Sequence, residues 1–230
     1  MDIEKRIAAV NWDRIAGDLN EQGWALTGPM LTQDERAALI ESYDHDEQFR
    51  STIIMARHGY GRGEYRYFAH PLPQLIAALR PTLYERLAPM VNNWGQGPFP
   101  ATHAEYLRQC HAGGQTRPTP LILRYGPGDY NCLHQDLYGD LSFPLQAAFL
   151  LSEPGTDFTG GEFVLTEQRP RMQSRVSVVP LQAGEAVIFA VNHRPVQGNR
   201  GTHRVTMRHG VSSVRTGSRH TLGIILHDAA

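Results

Sequence analysis

The chain has 230 residues, 41% of them hydrophobic and 20% charged, and a formal net charge of −1. That length suits one domain, or one domain with an elaboration, and the composition excludes collagen, a coiled coil and wholesale disorder. Two cysteines, Cys110 and Cys132, exclude a disulfide-rich scaffold and a four-thiolate zinc site. The opening MDIEKRIAAV lacks the apolar core of a signal peptide, and no stretch approaches the roughly 18 apolar residues of a membrane span. The expectation is a soluble, cytoplasmic protein with no membrane partner.

Residues 1–117 read as mostly helical, integral to a single domain. Trp12, Ile15, Ala16 and Leu19 form one apolar stripe, with Gly23 placed to end that helix. Trp24-Ala25-Leu26 suggests a short strand. Thr32 followed by Glu35 is a capping box that opens a helix near 33–43. Between Arg50 and Phe68, β-branched and aromatic residues surround Gly59, Gly61 and Gly63, which suggests a hairpin or a flap over a pocket. Leu72 to Val91 is the longest apolar-periodic stretch, with Pro81 expected to kink or split it. A further helix is expected over 101–110.

The texture changes near residue 118. Short β-rich runs follow at 119–125, 143–151, 161–165, 175–179, 186–191, 204–211 and 220–227, separated by turn residues such as Gly126-Pro127-Gly128-Asp129 and Glu153-Pro154-Gly155. About seven short strands at this spacing argue for a sandwich or jelly roll over 118–230. The charge is uneven too. Residues 1–47 carry eleven acids against four bases, and 169–219 carry nine arginines against Glu185 alone. Such an arginine segment either faces an anionic substrate or pairs with the acidic N-terminal part.

The sharpest local feature is His134-Gln135-Asp136, since residues i and i+2 of a strand project to one side. Downstream stand His209 and, ten residues later, Arg219. Two histidines and one carboxylate make the facial triad of non-haem Fe(II) oxygenases, which leaves positions open for a co-substrate and O2. Arg219 and Thr221 share a strand face, so guanidinium and hydroxyl together suit the far carboxylate of a dicarboxylic oxoacid. His203 has the same parity on its strand as His209 and is the alternative distal ligand. By alternation Cys132 is expected to face the same side as His134 as a buried thiol, with Asn131 pointing the other way. Gly160-Gly161 reads as a simple turn. His45, His58, His70, His103 and His111 lie outside the β-rich region, and His193, His220 and His227 read as structural or exposed.

The ordered set Arg124-Tyr125-Gly126-Pro127-Gly128, Leu133-His134-Gln135-Asp136, Gly160-Gly161-Glu162-Phe163, Gly184 to Phe189 and His209 to Arg219 resembles the core of the Fe(II)/2-oxoglutarate-dependent dioxygenases. The resemblance covers residues 121–226. It implies an α+β fold, with N-terminal helices packed on a double-stranded β-helix, a cupin-like jelly roll. It also implies Fe(II) on His134, Asp136 and His209, and 2-oxoglutarate held by Arg219 and Tyr125 with help from Thr221. The implied reaction is C–H hydroxylation with release of succinate and CO2.

The Arg-Tyr-x-Pro-Gly and Leu-His-Gln-Asp runs are similar to AlkB-type nucleic-acid dealkylases, which implies oxidative demethylation of an alkylated base. The short interval from His209 to Arg219 is more similar to prolyl hydroxylases, which implies a protein or peptide substrate. A small molecule and a non-catalytic cupin-like metal-binding module are further alternatives. Two positions depart from the AlkB pattern: Ile225 stands where those enzymes carry a second arginine, and Leu123 where they carry a polar residue.

Overall fold

A computed structural model describes residues 2–198 and 201–230. The first half contains α1 (Ile3–Ala8), α2 (Trp12–Gln22), β1 (Trp24–Pro29), α3 (Gln33–Ser42), β2 (Phe49–Ile54), β3 (Gly61–Arg62), β4 (Glu64–Phe68), α4 (Gln74–Asn93) and α5 (His103–Ala112). The second contains β5 (Leu121–Tyr125), β6 (Tyr130–His134), β7 (Leu145–Leu150), β8 (Phe158–Gly160), β9 (Phe163–Gln168) and β10 (Arg175–Val179). It continues with β11 (Glu185–Ala190), β12 (His193–Gly198), β13 (Gly201–Val211), β14 (Val214–Gly217) and β15 (Arg219–Ile224).

Local chemistry accounts for the helix ends. Gly23, at φ 82, takes the left-handed conformation that closes α2. Thr32 and Glu35 form the reciprocal capping box of α3. Pro81 does not split α4, which runs unbroken through both Pro81 and Pro89. Each proline costs a helix interior about 3 kcal/mol. Against that cost stands a continuous buried stripe of Ile76, Leu79, Leu83, Leu87 and Val91, each worth about 1.5 to 3 kcal/mol. Beside Pro81, the buried Arg80 pins the helix to the C-terminal segment by donating to the carbonyls of Ile225 and His227 and to Asp228.

Two antiparallel sheets face each other as a jelly roll. The seven-stranded sheet runs β1-β11-β7-β15-β5-β4-β2, and the six-stranded one includes β10-β9-β13-β6-β3 with β12 alongside β13. Three strands of the larger sheet, β1, β2 and β4, come from the first half of the chain. Helix α2 packs on β1, and α4 on β15. The segment around the three glycines is strapped to both sheets: β2 and β4 edge the large one, while Gly61-Arg62 pairs with Asn131-Tyr130 of β6 in the small one.

Register sets the position of the chemistry. On the small sheet His134 lies opposite His209, and on the large sheet Arg219 lies opposite Tyr125. Between the β6–β13 pairs His209–His134 and Val211–Asn131, β6 carries one residue more than β13. That bulge inverts the alternation along β6. Asn131 therefore lines the cavity with His134, and Cys132 is exposed, the reverse of the expected facing.

Candidate metal and co-substrate site

The inner faces of the sheets enclose a cavity of about 340 Å³, within the usual range for ligand pockets. His134 comes from the end of β6 and His209 from β13, their ring centroids 4.2 Å apart. Asp136 lies just past the end of β6, so its carboxylate arrives from a loop rather than from a strand face. His134 Nε2 is 3.3 Å from one carboxylate oxygen of Asp136, and His209 Nε2 is 3.3 Å from the other. One donor atom from each of the three residues fits within a 4.8 Å span. His203, six positions back along β13, lies about 20 Å up the strand. It is placed opposite Val196 of β12.

The protonation pattern suits a divalent cation. His134 Nδ1 lies 2.7 Å from the carbonyl oxygen of Cys132. A carbonyl only accepts, so Nδ1 carries the proton and the Nε2 lone pair faces the cluster. Burial opposes charge on His134, yet the hydrogen bond and charge of Asp136 hold its imidazole above the ordinary value. Burial likewise opposes charge on Asp136, but His134 and His209 hold its carboxyl well below the usual range. Burial, then the neighbouring His134, lowers His209. Phe189 and Phe163 pack against the His209 ring, at centroid distances of 4.6 and 6.0 Å. The donor set is thus two nitrogens and an ionised carboxylate, a chemistry that fits Fe(II).

Across the cavity Arg219 is 1% exposed, its guanidinium over the rings of Tyr125 and Phe158. It donates to the hydroxyl of Thr221. Burial pulls Arg219 down to about 10, which still leaves it charged at neutral pH. Its Nε and the hydroxyl of Tyr125 are buried without a hydrogen-bond partner among the described residues. Buried polar groups are nearly always paired, so this end of the cavity has donors to spare for a carboxylate. Gly161 is part of the same construction. It sits at φ 63, and a Cβ there would lie 2.9 Å from Cδ of Arg219 and 2.9 Å from Val214, so it is more than a simple turn.

The structure therefore brings His134, Asp136 and His209 to one side of the cavity and Arg219, Tyr125 and Thr221 to the other. Gln146, a buried cavity residue whose Nε2 has no partner among the described residues, escaped the sequence reading. Its signal was there: it is the lone polar residue in the run Leu145–Leu150. The described arginines divide. Arg169, Arg175 and Arg194 converge on Glu167, Arg215 lies 3.9 Å from Glu162, and Arg219 enters the cavity. Four of the segment's eight described arginines thus pair with Glu167 of β9 or with Glu162 just before it, and among the described residues none of the eight pairs with an acid of the N-terminal part. Arg200 lies outside the described residues. No helix of the described residues is long and apolar enough to cross a membrane.

Comparison with known proteins agrees with this geometry. Residues 63–229 match the family Oxygenase-NA, described as an oxygenase catalysing oxidative methylation of damaged DNA. Uncharacterized proteins of two Mycobacterium tuberculosis strains are each 48% identical over 168 residues, 71% of this chain and 72% of theirs. Among solved structures, a Pseudomonas putida prolyl-4-hydroxylase has a TM-score of 0.56 at 17% identity and covers 95% of this chain and 99% of its own. A 2OG-Fe(II) oxygenase-family oxidoreductase from Burkholderia pseudomallei has a TM-score of 0.58 at 16% identity, covering 96% and 94%. At such identities these two likenesses speak to the fold. The chain belongs to the Oxygenase-NA family and is an Fe(II)/2-oxoglutarate-dependent dioxygenase.

Proposed function

We propose that His134, Asp136 and His209 hold the ferrous ion, that Arg219, Thr221 and Tyr125 hold 2-oxoglutarate, and that the enzyme hydroxylates a side chain of a protein or peptide. The observation that carries the first two parts is the convergence of the three donor atoms within a 4.8 Å span, in a cavity that also holds a buried arginine and an unpartnered tyrosine hydroxyl. When bound, Fe(II) with 2-oxoglutarate and O2 supplies the C–H oxidation, with succinate and CO2 as co-products. The protein's own residues bind and orient. Arg219 with Thr221 takes the distal carboxylate in a charge-assisted pair, and the Tyr125 hydroxyl donates to the same molecule. The Cys132 carbonyl keeps the His134 proton on Nδ1, away from the ligand nitrogen. Phe163 and Phe189 keep water from His209, and Met55 and Tyr60 of the strap line the cavity.

The substrate reading rests on the cavity walls. Leu123 and Ile225 both line the cavity, at the two positions where the AlkB pattern has polar groups. An aliphatic wall suits a saturated side chain, whereas the polar edge of a base buried there would lose hydrogen bonds to water. The fold likeness to a prolyl-4-hydroxylase over 95% of the chain supports the same reading. Oxidative demethylation of an alkylated nucleic-acid base is the second reading, favoured by the family's own description. The test is succinate release, run in parallel with proline-containing peptides, free amino acids and methylated oligonucleotides. Stimulation by the peptides above the uncoupled rate is the expected result. Stimulation by the oligonucleotides alone, with formaldehyde release, would transfer the assignment to the second reading.

A further inference from the structure

Asp136 is the one member of the triad that no β-ladder positions. β6 ends at His134, and the chain from Gln135 to Gly139 makes no strand pairing. Side chains hold this stretch instead. The Gln135 amide donates to the side-chain oxygen of Asn192 at 2.7 Å and to the Met207 carbonyl at 2.8 Å, tying the loop to β13 two residues before His209. The buried Gln115 donates to the carbonyls of Tyr138 and Leu141 and accepts from the Leu141 amide. These bonds fix the backbone on either side of Asp136 but leave its carboxylate free to turn. A terminal carboxyl torsion is broad and roughly two-fold, so rotation would exchange its oxygens or aim neither at the ion.

Tyr138 supplies the missing restraint. Its hydroxyl lies 2.8 Å from Asp136 Oδ1, the oxygen that also faces His134, while Oδ2 faces His209. Among the described residues it is the only hydroxyl or amide that donates to the Asp136 carboxylate, whose other close neighbours are Nε2 of His134 and Nε2 of His209. The ring is itself clamped, edge-on against Tyr67 and tilted against His227, at centroid distances of 6.3 and 6.1 Å. Building on the assignment of the triad as the iron site, we infer that Tyr138 is a positioning residue for the metal ligand Asp136, acting through its hydroxyl rather than through its ring. The phenol O–H holds one carboxylate oxygen, fixes the torsion and leaves the other oxygen presented to the ion. It also draws electron density from the carboxylate and so tunes its strength as a donor.

The test uses the full-length apo protein and Tyr138→Phe, which keeps the ring packing and removes only the hydroxyl. Mn(II) binding followed by electron paramagnetic resonance should weaken by about 10- to 100-fold, the usual effect of losing such a partner. The urea midpoint of the apo variant should stay near that of the wild type. The visible band of the anaerobic complex with Fe(II) and 2-oxoglutarate should move to longer wavelength, because a carboxylate freed of its hydrogen bond donates more strongly to the metal. A ring that merely packs would shift neither quantity in the Phe variant. Wild-type affinity and an unshifted band in Tyr138→Phe would overturn the inference while leaving the iron site standing. Failure of the wild type to bind Mn(II) at all would overturn the iron site and the inference with it.

Discussion

Gly161 and Arg219 touch where no side chain fits: a Cβ on Gly161 would stand 2.9 Å from the Cδ of Arg219. The arginine proposed to hold the co-substrate is therefore aimed in part by an absence, and Gly161→Ala tests it. The left-handed backbone at φ 63 costs an alanine about 1 to 2 kcal/mol, and the methyl group pushes the guanidinium off its line. The dissociation constant for 2-oxoglutarate, measured by anaerobic titration, should rise about tenfold, or about 1.4 kcal/mol. Metal affinity should be nearly unchanged, because the side chain displaced is that of Arg219, across the cavity from His134, Asp136 and His209.

Arg219→Lys tests the charge against the shape. Arg219 remains a cation despite its burial, so loss of charge is not the issue in the wild type. A lysine keeps the charge but not the planar fork that grips a carboxylate at two points. The 2-oxoglutarate constant should worsen by about 100-fold, roughly 2.7 kcal/mol, and Mn(II) binding should survive.

Glu167 gathers three arginines, one of them Arg194 at 1% exposure. Removing the acid leaves that guanidinium buried with, among the described residues, only the carbonyl of Asn20 as a further partner. Breaking such a pair typically costs about 3 to 5 kcal/mol. Glu167→Ala should therefore lower the urea midpoint sharply. Val176→Ala, on exposed β10, should shift it by less than about 0.5 kcal/mol.

Three histidines make stability depend on pH. Burial lowers His103, His220 and His227 to about 4, helped by Arg80 at the first and third and by Arg124 at the second. An unfolded chain protonates the same groups near 6.5. Between those values the unfolded state binds more protons, so stability is complete above about pH 6.5 and falls as pH drops towards 4. Each site contributes up to about 3 kcal/mol across that window. Urea unfolding at pH 7.5, 6 and 5 should show the decline, and His103→Gln should make it shallower.

Much of the fold was legible because it rests on local chemistry. The capping box at Thr32 and Glu35, the terminating Gly23 and the strand-sized runs after residue 118 all act over a few residues. What escaped was nonlocal. The bulge in β6 turns Cys132 out and Asn131 in, and only the partner strand reveals it. Pro81 failed to break α4 because the stripe buried against the rest of the protein outweighs its local cost. The choice between His203 and His209 was undecidable by parity, since both have it. The pairing of β13 with β6 separates them, because only His209 lies opposite His134. The segment from Arg50 to Phe68 read as a hairpin or a flap; β2 and β4 do pair as a hairpin, whereas the pairing of Gly61-Arg62 with β6 was not visible in the glycines.

The most direct test is spectroscopic. Apo protein titrated anaerobically with Fe(II) and then 2-oxoglutarate should develop a weak visible charge-transfer band. The band should vanish in His134→Ala, Asp136→Ala and His209→Ala and persist in His203→Ala. A band unaffected by loss of Asp136 or His209, or abolished by loss of His203, would contradict the assignment on which the proposed chemistry depends.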